Sequence, residues 1–575
     1  MNEWTQKEIL QGLENLKPNH EMTSLRNAGI SRQWADWVIG INLTSVATLK
    51  YQKGKGKALN IGRVLLPTLK IIYDRDQEIK NFVPEDYYKL KASFQTKNGE
   101  TYEGTYQVNK KEQFKQKEQL ENIKKQIMEQ QGEIIEKKVE KKKEFPPFLF
   151  NLSSLQGYIT NKYKGWTSDK VLKIAQSLYE KKYMTYPRTS STALDESLTG
   201  KVAHVLKVHS EGLPYKDEIK FKKTKRVFNN AKVESHSAII PTYMKPSRLS
   251  KDESIVYQAV KNRFIMQFMP IAQYEETVLK TKVDKAEGIF LSKGKIQLVE
   301  GWKKVENIVS KDALLPRIQQ NETVRLTEAQ VTAHTTKPPK YHTEKTLLRV
   351  METCGKQYKE KEEGTIEEVL KGFSIGTPAT RAETIKKLKD VGYIVQKDKN
   401  VRCTELGQKL VETFPVAELF NLNFTGRLEK ALSDIQKGTM SKQQFLNVIF
   451  QFTSKSVETI KKDKSQPLRI SQKNKNEVIG KCPSCGGEVT EGYLYFSCEN
   501  WKKSCGFVIW KKDKYLAAMK KRVTKTMVKS LLKNNKAYVK GLTSKKGNKF
   551  NAYLSYHKDP EDDYYSWKMQ FAKKR

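Results

Sequence analysis

The chain reads as a multidomain protein of mixed α and β structure, ending in a metal-held ribbon and a small β domain. Three observations predict this. Its 575 residues are enough for several separate cores. Stretches with apolar residues at helical spacing are interrupted by stretches in which apolar and polar residues alternate singly. Four of the six cysteines fall within one short window near the C-terminal end.

Residues 1–80 are expected to be mainly helical and carry two notable patches, Ser31 to Thr44 and Ile61 to Leu69. Between them Lys53-Gly54-Lys55-Gly56-Lys57 lacks the Gly-Lys-Ser/Thr ending of a phosphate loop and reads as a basic surface turn. Residues 85–108 alternate around Asn98-Gly99, a hairpin signal. Asn109 to Lys143 is so dense in Lys, Glu and Gln that it reads as a solvated helix or flexible arm. Residues 250–335 are expected to be strand-rich, and Lys337-Pro338-Pro339 opens a second helical region. There Thr377 caps a helix with Pro378 in its first position, followed by strands at Tyr393–Gln396 and Val401–Thr404. Helix plus hairpin is either a winged-helix unit, with Thr380 and Arg381 near a backbone phosphate, or a plain packing unit.

The stretch Tyr183-Met-Thr-Tyr186-Pro-Arg188-Thr-Ser-Ser191 carries the chemistry. A helix from Asp169 to Lys182 precedes it, with Ser168 as its expected cap and Val171, Ile174, Ala175, Leu178 and Tyr179 at helical spacing. Pro187 forces Tyr186 out of helical geometry, and in an extended chain Arg188 shares a face with Tyr186. A phenol is a poor nucleophile near pH 7, whereas a fixed guanidinium favours the phenolate and stabilises charge on a phosphate. The pair suits transesterification at a phosphodiester, although an exposed Tyr-Pro-Arg alone is more often just a turn.

Cys482, Cys485, Cys498 and Cys505 are separated by two, twelve and six residues, the first pair on a Cys-x-x-Cys-Gly-Gly knuckle. Four thiolates in this pattern suit a closed, tetrahedral, structural Zn²⁺. A redox dithiol explains one pair alone, and Cys354 and Cys403 read as packing residues. Lys502, Lys503, Trp501 and Trp510 beside the ribbon suit single-stranded DNA. The stretch Tyr538 to Tyr553 reads as a basic, aromatic hairpin.

Lys+Arg of 106 against Asp+Glu of 65 gives a net charge of +41, which points to a polyanionic partner. Nucleic acid fits better than a membrane, because no apolar run approaches the ~18–20 residues a bilayer needs. The N-terminal sequence is no signal peptide, and the cysteine usage fits a reducing cytoplasm, where the protein is expected to be nucleoid- or plasmid-associated.

In combination, Met184-Thr-Tyr186-Pro-Arg188-Thr resembles the active-site motif of type IA DNA topoisomerases, closest to bacterial topoisomerase III. His236-Ser-Ala-Ile-Ile-Pro241-Thr242, fifty residues on, resembles that family's second active-site motif. Trp34–Thr44, Gly62–Leu69, Lys337–Glu344 and Gly376–Arg381 resemble its other core motifs in the same order. The resemblance implies a toroidal core of helical domains plus a β-rich arch. The expected domains are 1–84 (helical core, first part), 85–145 (arch, first part), 146–245 (active-site tyrosine), 246–336 (arch, second part), 337–465 (helical core, second part), 478–515 (zinc ribbon) and 520–575 (basic C-terminal domain). It also implies that Tyr186 attacks single-stranded DNA and holds the 5′ phosphate, with Arg188 at the scissile phosphate and His236 beside the site. Arg32, Arg63 and Arg381, with Thr377 and Thr380, are then expected to line the DNA groove.

Two departures stand out: Thr189-Ser190-Ser191 replaces the usual Thr-Asp-Ser, and Leu65 stands where glutamine is common. The family's metal-binding TOPRIM acids find no counterpart, Asp74-Arg75-Asp76 belonging to a core element. Mg²⁺ is therefore expected only with a TOPRIM polypeptide supplied in trans. Three readings follow: a topoisomerase core with a separate TOPRIM chain, a non-catalytic single-stranded DNA-binding descendant, or a truncated product. A tyrosine recombinase or plasmid relaxase is the rival class, lacking here its Arg–His–Arg set or histidine triad.

Overall fold

The computed structural model describes residues 6–52, 58–233, 235–357, 374–465, 478–492, 494–501, 505–544, 546–559 and 565–571. The basic turn at Lys53–Lys57, Lys502, Lys503 and the side chain of Cys354 lie outside the described residues. The chain divides into two units, Met1–Arg469 and Ile470–Arg575. No helix among the described residues is long and apolar enough to cross a membrane.

The first unit is organised as one insertion inside another. Its outer layer is helical. The helix Thr23–Gln52 buries Ala28, Ala35, Ile39, Leu43 and Ala47, one stripe at helical spacing. This stripe shares a core with Leu66, Leu69 and Ile72 of the helix Leu65–Lys80 and with the helices Leu422–Gln436 and Lys442–Lys462. The helix Pro378–Asp390 and its two-stranded hairpin also join it, through Ile385, Leu388, Ile394 and Val401.

Inserted between the two helical halves is a closed barrel. Its strands are β1 (Asp86–Gln95), β2 (Thr101–Gln107), β3 (Gln131–Glu144), β4 (Ala272–Val283), β5 (Ile289–Val299) and β6 (Thr323–Thr335), in the order β1-β2-β5-β4-β3-β6. Asp86 and Thr335, its entry and exit, are cross-strand partners. Phe94, Tyr106 and Phe290 fill the interior, the Phe94–Phe290 and Tyr106–Phe290 centroids each 5.3 Å apart. A Cβ at Gly104 would come within 2.9 Å of Phe290 Cβ, so this inward position has to be glycine. As expected, Asn98-Gly99 turns β1 into β2, Gly99 having φ +84°.

The reading of Asn109–Lys143 as a solvated helix or flexible arm is corrected. It folds as the helix Lys117–Ile127, which buries Leu120 and Ile127, and then as most of β3. Only Gly132 and Ile134 of β3 face the barrel core. Beyond them its charges are tied across the sheet, Lys142 to Glu276 and Lys280 to Glu136.

Between β3 and β4 lies the third, innermost layer, whose ends meet because Glu144 pairs with Ala272. It holds the helices Leu152–Lys162, Ser168–Glu180, Thr199–Ser210 and Lys251–Met266 around two apolar clusters. The last of these helices occupies the start of the stretch 250–335 expected to be strand-rich: Ser250 and Glu253 form a capping box, Val256 and Val260 pack on the tyrosine segment, and Phe264 joins the second cluster.

In the second unit, strands Val478–Lys481, Glu488–Glu491, Tyr495–Cys498 and Val508–Trp510 make the ribbon, and Ala537–Thr543, Lys549–Lys558 and Tyr565–Phe571 make a separate sheet. The expected hairpin thus gains a third strand. Ribbon and C-terminal domain, expected as two pieces, share one core: Val489, Phe496 and Ile509 cluster with Leu531, Ala537 and Leu554.

Candidate active site and zinc-binding cluster

The helix Ser168–Glu180 delivers the tyrosine. Its N-cap is Thr167, not Ser168: the Thr167 side chain accepts from Lys170 N–H. Lys182, at φ +68°, breaks the helix, and Tyr183 N–H donates to Leu178 O. The chain then runs extended beside Ser237–Thr242. Thr185 N–H donates to Ile240 O at 2.9 Å, Thr185 Oγ1 accepts from Ile240 N–H at 3.0 Å, and the same hydroxyl donates to Ala238 O at 3.2 Å. Thr189 Oγ1 donates to His236 O at 2.9 Å, and Thr242 Oγ1 to Lys182 O at 2.5 Å. Two motifs fifty residues apart in sequence are therefore one hydrogen-bonded strip.

On this strip the Tyr186 ring is half-buried, its centroid 4.6 Å from that of His236 and 5.2 Å from that of Tyr179, the latter edge-on. Arg188, two residues on, is exposed. His236 Nδ1 is sealed from solvent without a hydrogen-bond partner among the described residues, and burial holds this imidazole below its ordinary pKa. The histidine thus lies against the phenol ring, and the Arg188 side chain two residues on is exposed. Behind it, His209 Nε2 meets Thr242 O at 2.7 Å.

The structure does not gather the remaining predicted residues in one groove. Arg63 is 2% exposed and points inward, its Nε on Asp36 at 2.5 Å and its Nη1 on Glu429 at 2.7 Å. Arg32 forks onto the same Glu429 at 2.8 and 2.6 Å. Burial pushes the Glu429 carboxyl up, but Arg63 and Arg32 outweigh it and hold the pKa below the usual range. Arg381 is also 2% exposed, donating to Ile375 O, Ser153 Oγ and Ser374 Oγ. Both buried arginines correct the expectation of a groove lining, because a guanidinium enters the interior only with its donors satisfied. Thr377 and Thr380 remain near the surface, where Thr377 N–H donates to Thr380 Oγ1 at the start of the helix.

The four ribbon thiols converge, all Sγ atoms lying within 4.8 Å of one another. Cys482 and Cys505 are 3.3 Å apart and Cys485 and Cys498 3.4 Å, near the ~3.8 Å edge of a tetrahedron with 2.3 Å Zn–S bonds. The knuckle is closed by Cys482 N–H on Gly487 O and Gly486 N–H on Cys482 O. The Gly487 N–H, followed by the neighbouring thiols, pulls Cys485 down to about 6. A polar thiol set of this kind fits a zinc ion, which these cysteines would hold with no position left open for catalysis. Cys403 is buried, as expected of a packing residue, and burial raises its thiol pKa.

Residues 20–447 match the family model described as DNA topoisomerase, and residues 504–572 match the C-terminal repeat of topoisomerase. The chain belongs to the type IA DNA topoisomerases. Among curated relatives, DNA topoisomerase 3 of Bacillus cereus is 32% identical over 505 residues, covering 85% of this chain and 67% of the relative. DNA topoisomerase 3 of Staphylococcus aureus is 31% identical over 492 residues, covering 84% and 66%. The fold is also that of full-length topoisomerase I from Thermotoga maritima, with a TM-score of 0.63 at 24% identity, over 89% of this chain and 80% of that one.

For this topoisomerase, several partners of the predicted residues escaped the sequence reading. Glu429 carries no local signal, since Arg32 and Arg63 lie more than three hundred residues away, and Glu352 none, since Asn151 lies 201 residues before it and Arg381 on another helix. Asn151 does carry one. It is followed three residues later by Ser154, and the two form a capping box.

Proposed function

We propose that this chain cleaves and rejoins single-stranded DNA through Tyr186. The Tyr186 Oη gives up its proton to water and attacks a backbone phosphorus. A tyrosyl–phosphate bond to the 5′ side forms, the P–O3′ bond breaks, and the departing 3′ oxygen takes up a proton. Reversal by that hydroxyl reseals the strand, and passage of another strand in between changes linking, as relaxation or decatenation. Arg188 steadies the scissile phosphate. His236, neutral and packed on the phenol ring, holds the ring's attitude and offers a ring nitrogen for proton movement. Arg32, Thr377 and Thr380 contact the DNA backbone, and Mg²⁺, which would neutralise phosphoryl oxygens, enters only if a TOPRIM polypeptide is supplied in trans. The observation that carries this reading is the strip joining Tyr186, Arg188 and His236 on a chain of +41 net charge.

The test is a denaturing gel of the purified chain with a 3′-labelled single-stranded oligonucleotide and Mg²⁺, with and without a TOPRIM polypeptide. A covalent adduct lost in Tyr186→Phe is expected. Binding without adduct under both conditions would leave a DNA-binding descendant instead, and an adduct that persists in Tyr186→Phe would move the nucleophile elsewhere.

A further inference from the structure

The Tyr186-Pro187-Arg188 turn is suspended between two anchors. Upstream, Thr185 is fixed to Ala238 and Ile240. Downstream, two successive carbonyls are taken up by the start of the helix Leu152–Lys162. Leu152 N–H donates to Thr189 O at 3.2 Å, and Asn151 Nδ2 donates to Ser190 O at 3.0 Å. The same Nδ2 donates to Glu352 Oε1 at 2.9 Å, and that oxygen lies 3.9 Å from Arg381 Nη1. Arg381 Nη1 also donates to Ser153 Oγ at 3.0 Å, within the same helical turn. Asn151 and Ser153 are each 5% exposed and Arg381 2%. Arg381 and Glu352 belong to the outer helical layer, on the helices Pro378–Asp390 and Glu344–Gln357. The guanidinium therefore reaches across from that layer to the helical turn whose Leu152 N–H and Asn151 Nδ2 hold the backbone just after the tyrosine. Buried, directional and charge-assisted, these contacts fix geometry rather than merely fill space.

We propose that Arg381 is a positioning residue for Tyr186 and Arg188, acting through Ser153 and the Glu352–Asn151 pair on the Thr189 and Ser190 carbonyls. The turn is held in attacking geometry only while the outer helical layer is docked against the tyrosine layer. The proposal rests on the reading of Tyr186 as nucleophile, but its test does not depend on turnover.

In the full chain, amide hydrogen exchange is followed by mass spectrometry on peptides spanning Tyr183–Ser191 and on barrel peptides. Asn151→Asp keeps the cap on Ser154 N–H but loses the donor to Ser190 and Glu352. Glu352→Ala removes the link, and Glu352→Gln retains an acceptor. The amides of Thr189 and Ser191 should exchange about tenfold faster in the first two variants and near the original rate in Glu352→Gln, with the barrel unchanged. Where the adduct forms, its rate should fall with DNA affinity unaltered. Unchanged exchange in both disrupting variants overturns the proposal, as does equal loosening of turn and barrel. An unmodified chain that forms no adduct counts against the nucleophile and leaves the exchange result standing.

Discussion

Removing the Glu429 carboxylate separates the two roles open to Arg63. In the structure Glu429 is the shared acceptor of Arg32 and Arg63, with side chains 35%, 2% and 11% exposed for Arg32, Arg63 and Glu429. Breaking a buried pair by deleting one partner costs about 3–5 kcal/mol, because the remaining charge stays buried. Asp36 is 48% exposed and still holds Arg63, so Glu429→Ala should fall at the lower end, roughly 3 kcal/mol. For a cooperative unit of this size, about 3 kcal/mol lowers the midpoint by roughly 6–12 °C. Scanning calorimetry reads it as an earlier transition of the helical core. Combining Arg63→Met with Glu429→Met should recover most of the loss, since an apolar pair of similar volume replaces the ions. If Arg63 instead served DNA, Glu429→Ala would leave the midpoint within about 1 °C and tighten DNA binding by freeing the guanidinium. That outcome would refute the assignment of Arg63 to the core.

Thr185→Val strips the hydroxyl that bridges Ile240 N–H and Ala238 O, so exchange at Ile240 should rise by roughly 30- to 100-fold while Thr185→Ser stays near the original rate. His342 is 5% exposed, and burial, helped by Arg75, pushes its pKa down to about 4. The unfolded chain binds that proton from about pH 6.5 downward, so stability is complete above that value and declines by up to ~3 kcal/mol towards pH 4. A pH series on His342→Gln should flatten this acid limb, and an unaltered limb would remove His342 as its source. Cys482→Ser should release zinc to a chromogenic chelator, weaken single-stranded DNA binding and melt the second unit's core while the first unit's transition holds. Unfolding of both units together would show them to be energetically one.

The tyrosine strip and the cysteine cluster were legible in the sequence because each concentrates its chemistry in a few adjacent residues. Pro187 after Tyr186 and the knuckle glycines are local instructions that any surroundings must obey. The same is true of the turn at Asn98-Gly99 and the cap at Thr377. What stayed hidden was set by distant partners. Nothing near Arg63 announces that Glu429 will neutralise it, so a motif arginine reads as a DNA contact until the fold buries it. β3 was hidden differently. Only Gly132 and Ile134 obey the period-two rule, and the Lys and Glu residues beyond them gain their order from β4, more than a hundred residues later. The ribbon and the C-terminal sheet looked separable because their shared core is gathered from short stretches far apart in the chain, Val489, Phe496 and Ile509 meeting Met527, Val528, Leu531, Ala537 and Leu554.

Because Glu144 stands opposite Ala272, and Asp86 opposite Thr335, each layer starts and finishes at a single strand pair. A ribosome releasing this chain finishes the innermost layer first, the barrel next and the helical shell last, since the shell must wait for partners beyond residue 420. The chain is in effect assembled from the middle outward. New ends could be cut at either strand pair, and the old strands rejoined by a short turn, without altering the strand order of the barrel.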